Sequence, residues 1–118
     1  MTLYRGIVIA ESLTDWAWIN RVKIIDAEIE ISPNDRSSLW HLYTVEATED
    51  KARELESLLK PSGYYAHFSN AQDGLVVFPQ KTFRVDPQRN MTWQSAIDYG
   101  VQMGIPAKQM NFSFKEIT

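Results

Sequence analysis

Three observations predict an α+β fold built on an antiparallel sheet. Apolar and acidic residues alternate along 24–31, the period of a strand with one buried face. Apolar stripes at helical spacing recur at 48–60 and at 92–103. The runs 3–10, 39–47 and 64–85 are rich in β-branched and aromatic residues, which favour strands. In order, the elements read strand, short helix, strand, strand, helix, strand, followed by an added C-terminal strand and helix. The βαββαβ order is the ferredoxin-like pattern, so a sheet of about five strands is expected. The first strand should be central. The first two helices should cover one face, and the last helix part of the other or one end.

Each element has a local reason. Residues 3–10 are almost continuously apolar, which suggests a strand covered on both sides. Ser12 and Asp15 have capping-box spacing, and Leu13, Trp16 and Ala17 follow at helical spacing. In 24–31, Ile25, Ala27, Ile29 and Ile31 should face the core while Asp26, Glu28 and Glu30 face water. Ser32, Pro33, Asn34 and Asp35 make a turn leading to the strand 39–47. Thr48 is a suitable N-cap, with Glu49 and Asp50 at the positive end of the helix dipole. Ala52, Leu55, Leu58 and Leu59 form that helix's stripe, and Lys60, Pro61 and Gly63 end it.

The stretch 64–85 reads as a hairpin around Asp73 and Gly74. Pro79 interrupts its second strand and predicts an edge or a bulge, because proline has no N–H to donate. In the last helix, Trp93, Ala96, Ile97, Gly100 and Val101 share one stripe. Gly100 costs about 1 kcal/mol there relative to alanine, so a close approach to another backbone is expected. Gly104 and Pro106 end the helix. Met110, Phe112 and Phe114 then alternate with polar residues, as an edge strand or docked segment would.

Composition narrows the function. The 118 residues suit one domain, 1–118, with 44% hydrophobic and 23% charged residues. A net charge of -3 without a basic run argues against nucleic acid or an anionic membrane as partner. There is no cysteine, which removes disulfides, thiol catalysis and cysteine-ligated zinc. The first residues lack the charged, apolar, small order of a signal peptide. A soluble, cytoplasmic protein is expected. No nucleotide loop, metal-ligand spacing or nucleophile elbow occurs, so neither cofactor nor metal is expected.

Candidate chemistry centres on two histidines. His67 shares a strand row with Tyr65 and Ser69, and an imidazole beside a phenol can act as general acid or base. His41 lies in a row with Leu39 and Tyr43, and would add a second imidazole to a shared pocket. Tyr43, Tyr64 and Trp93 are further ligand-binding candidates beside His41. For either histidine, ordinary packing within its strand is favoured over a chemical role. The carboxylates Asp26, Glu28 and Glu30 repeat every ~7 Å, too far apart to chelate one ion. Tyr64, Tyr65 and Phe68 invite comparison with RNA-stacking sheets, but the glycine-aromatic signature of those sheets is missing.

The hairpin residues Tyr64, Tyr65, Ala66, His67, Phe68, Val77, Phe78, Lys81, Thr82 and Phe83 carry a resemblance. So do Trp93, the run 96–100, and Gly104, Ile105, Pro106, Gln109 and Phe112. Together they resemble a family of small bacterial proteins with no assigned activity. The likeness lies in the C-terminal half; the N-terminal half shares only the order of elements. Asn111 stands where that family would have an acidic residue. The resemblance implies that hairpin and last helix form one unit, and it transfers no catalytic residue. The leading expectation is a non-catalytic ligand-binding or assembly module acting as a homodimer. The alternatives are a small enzyme using His67 and Tyr65, and a partner-binding accessory protein.

Overall fold

The computed structural model describes residues 2–31, 39–61, 63–107 and 110. Six strands form one sheet: β1 (Tyr4–Ile9), β2 (Lys23–Ile31), β3 (Leu39–Ala47), β4 (Ala66–Ser69), β5 (Gly74–Phe78) and β6 (Lys81–Val85). Their spatial order is β2-β3-β1-β4-β5-β6, and every neighbouring pair is antiparallel. Among the described residues two α-helices accompany them, α1 (Glu49–Arg53) and α2 (Gln94–Gln102), with short 3-10 turns. The fold is α+β, as expected, with one strand more than expected. Pro79 does not bend a single strand; it opens a two-residue turn between β5 and β6. Gln80 follows with φ 69, and proline then positive φ is the pattern of a type II turn.

The helices are shorter than their stripes suggest. Ser12 does not cap the first: its hydroxyl donates to the Ile9 carbonyl at 2.6 Å, and Asp15 caps instead by accepting from the Ala17 N–H at 2.9 Å. The result is a 3-10 helix, Trp16–Arg21. Thr48 caps α1 as expected, accepting from the Lys51 N–H. After five residues α1 tightens into a 3-10 turn, Glu54–Glu56. The chain is then drawn toward 12–14, because the Thr14 N–H bonds the Leu58 carbonyl and the Lys60 N–H bonds the Ser12 carbonyl, each at 2.8 Å. α2 closes with a Schellman motif: Gly104 has φ 93, its N–H bonds Val101, and the Ile105 N–H bonds the Gly100 carbonyl.

Cross-strand register divides the side chains between two faces. Tyr4, Val8, Val45, Phe68, Leu75 and Val77 meet Leu13, Trp18, Leu55 and Leu59 in one core beneath the early helices. Each such buried aliphatic side chain stabilises the fold by roughly 1.5–3 kcal/mol. On the opposite face Val76, Phe78 and Val85 pack with Ala96, Ile105 and Met110. Hairpin and last helix thus share a core. β5 is the strand buried on both sides. β1 is central in order, but Ile7 and Ile9 are only half-buried.

Two glycines mark close approaches. A Cβ on Gly6 would lie 2.5 Å from the His67 carbonyl oxygen and from the Phe68 ring. At Gly100 the neighbour is the Met110 thioether and the Phe78 ring, side chains rather than the expected backbone. At the far edge, Arg84 of β6 ties three elements together. It bonds Glu49 of α1 at 2.5 Å, Asp73 of the β4–β5 turn at 3.2 Å and the Tyr4 hydroxyl of β1 at 3.3 Å. Hydrogen bonds from Arg84 and Arg53 hold the Glu49 carboxyl below its ordinary range.

The expected buried row of β2 is where structure and pattern part. Every residue of β2 is exposed. Ile25 is the extra residue of a bulge, since the register with β3 shifts between Ile24 and Asp26. β2 is also the sheet's edge. The turn at 32–35, and Phe112 and Phe114, lie outside the described residues.

Candidate functional site

The residues singled out by sequence divide between the two faces. Register places His67 opposite Ile7 and Val76, whereas Tyr43 stands opposite Val8 and His41 opposite Ile29. Ile7 and Val8 point to opposite sides, so the two imidazoles share no pocket. Tyr43 and Tyr64 each pack against the first core, while Tyr65 and Trp93 pack with the second. The Trp93 indole N–H donates to the Asp86 carbonyl at 2.8 Å, which anchors the start of α2.

Tyr65 and His67 do meet, as their i, i+2 spacing requires. Their ring centroids are 6.3 Å apart, and Tyr65 also lies 5.8 Å from Phe78. Phe83 and Tyr99 continue the cluster, with the Lys81 ammonium 5.2 Å from one ring and 5.6 Å from the other. Burial lowers the His67 imidazole to about 4 and pushes the Tyr65 phenol up to about 12. Proton transfer at neutral pH works best near pKa 7, so both shifts run away from catalytic tuning. Ser69, next in the row, is 1% exposed, and its hydroxyl has no hydrogen-bond partner among the described residues.

The other face holds a constellation that the sequence does not announce. Glu11 accepts from the His41 backbone N–H at 2.7 Å and contacts Nδ1 of the same residue at 2.6 Å. Burial raises the Glu11 carboxyl, but hydrogen bonds from the His41 N–H and ring outweigh it and hold the group below its ordinary 4.5. An ionised carboxylate only accepts, so Nδ1 carries the hydrogen. The Trp16 ring stands 5.8 Å from the imidazole. The signal for Glu11 was the register: continuing the Ile9–Leu42 pairing brings Glu11 level with Trp40, beside His41.

Around His41 lies an uncovered apolar patch. Ile29 is 63% exposed, Ile31 61%, Leu39 50% and Trp16 48%. Ile29 pairs with His41 and Ile31 with Leu39, which makes the patch continuous. Among the described residues no group of three or more metal-ligating side chains forms, and no helix is long and apolar enough to cross a membrane.

No protein-family model matches the chain, and comparison with curated proteins and with solved structures finds no significant match. The functional reading therefore rests on the geometry of the chain itself.

Proposed function

We propose that the protein is a non-catalytic assembly module that pairs with a second copy through the open end of its β2–β3 apolar face. The observation that carries this reading is the exposure of Trp16, Ile29, Ile31 and Leu39 around His41. These four leave on the order of 400 Å² of apolar surface in water, the size at which a patch marks a contact. That is about half of the ~800 Å² each partner brings to a standard interface. A two-fold contact sets the patch against itself, so it is its own complement. The acidic row Asp26, Glu28 and Glu30 opposes the alternative, edge-to-edge pairing of two β2 strands, because like charges would stand opposite one another.

The order β4-β1-β3-β2 supports a ferredoxin-like arrangement for the first four strands, with β5 and β6 added beyond β4. The lack of cysteine supports a cytoplasmic setting. The shifts of His67 and Tyr65 favour packing over acid–base work, which is why a non-catalytic role is preferred to a small enzyme. Sedimentation equilibrium of the wild type and of Ile29→Asp tests the dimer. A concentration-dependent dimer that the substitution abolishes supports it; the same monomer for both removes it.

A further inference from the structure

We infer that the outer edge of β2 is a strand-addition site for an extended peptide segment that alternates basic with apolar residues. β2 ends the sheet, and no described strand lies beyond it. Past the bulge at Ile25, its register with β3 is unbroken from Asp26 to Ile31. In an antiparallel ladder, alternate residues turn their backbone N–H and C=O outward. Residues 26–31 therefore turn donors and acceptors outward that no described strand uses; the stretch holds no proline, and its charges, Asp26, Glu28 and Glu30, repel an acidic strand but not a basic one.

The two sides of this edge specify the occupant. One side carries Asp26, Glu28 and Glu30, none of which enters an ion pair among the described residues. Glu46, Glu49, Glu54, Glu56, Asp73 and Asp86 are each paired with an arginine or lysine. The other side carries Ala27, Ile29 and Ile31. A partner strand has the same two-residue period, so its alternate cations come opposite the carboxylates, ~4.5–5.5 Å away at Cβ. Its other side chains extend the isoleucine row. A second copy of β2 fails this test, because it brings a second acidic row. The peptide adds in the plane of the sheet, whereas the proposed dimer contact lies along its normal, so the two can be read separately.

Fluorescence anisotropy with a labelled peptide alternating lysine and valine tests the site. Comparators are a peptide of the same composition with its lysines and valines in separate blocks, and one alternating glutamate with valine. The alternating lysine peptide is expected to bind roughly tenfold tighter than either. Its binding should slow amide hydrogen exchange within 26–31. The double variant Glu28→Lys/Glu30→Lys should lose that preference and favour the glutamate peptide. Both positions are exposed, so the variant is expected to fold, which circular dichroism checks. If it does not fold, the exchange map of the wild type decides alone. Equal binding of the block peptide, protection confined to other strands, or no binding would each overturn the inference.

Discussion

His67 should make the fold acid-sensitive well above the range in which carboxylates titrate. Its imidazole is half-buried on β4 and is lowered from 6.5 to about 4 in the folded chain. Between those values the unfolded chain binds a proton that the folded chain refuses. Stability therefore falls as pH falls through this window. At about 1.4 kcal/mol per pH unit, the loss reaches about 2 kcal/mol at pH 5 and approaches ~3 kcal/mol at pH 4. The Glu49 and Glu11 carboxyls are lowered in the folded state, so their contribution is held above 4.5 and lost only as pH falls below it. Urea denaturation of the wild type and of His67→Gln from pH 7.5 to 4 separates the two. The difference between the proteins cancels the titration common to both, and should shrink by those amounts as pH falls. A flat difference, or an imidazole that titrates near 6.5 by NMR, would refute the burial argument.

Two packing predictions follow from the sheet. Gly6→Ala forces a methyl group against the Phe68 ring and the His67 carbonyl, where no flexible side-chain end can yield. Chemical denaturation should show a loss of about 1–3 kcal/mol, and an unchanged midpoint would contradict the close approach. Ser69→Ala removes a buried hydroxyl without a partner among the described residues, so stability should stay level or rise by about 1 kcal/mol. A clear loss at Ser69 would mean that the hydroxyl is bonded after all.

Local features were legible where their cause is local. The alternation of 24–31 located β2 because side chains flip sides with every residue, and Thr48 located the start of α1 because an N-cap needs only its own turn. Burial was not legible in the same way. The isoleucines of β2 alternate as a buried row would, yet all are exposed, and only the strand order shows that β2 is the edge. Pro79 alone suggests an interruption, because the sign of φ at Gln80 is not written in the residue type. Tyr65 and His67 could be brought together on paper, since they stand two residues apart on one strand. Glu11 could not be matched to His41, since their meeting depends on a pairing between strands thirty positions apart. The same long-range register put His41 and His67 on opposite faces.

The proposed contact between copies lies on the apolar face around His41. Sedimentation equilibrium over a wide concentration range, with wild type and Ile29→Asp side by side, addresses that claim most directly. A mass twice that of the chain, returning to a single chain in the variant, is the expected result. A wild type that stays strictly monomeric at high concentration would contradict it.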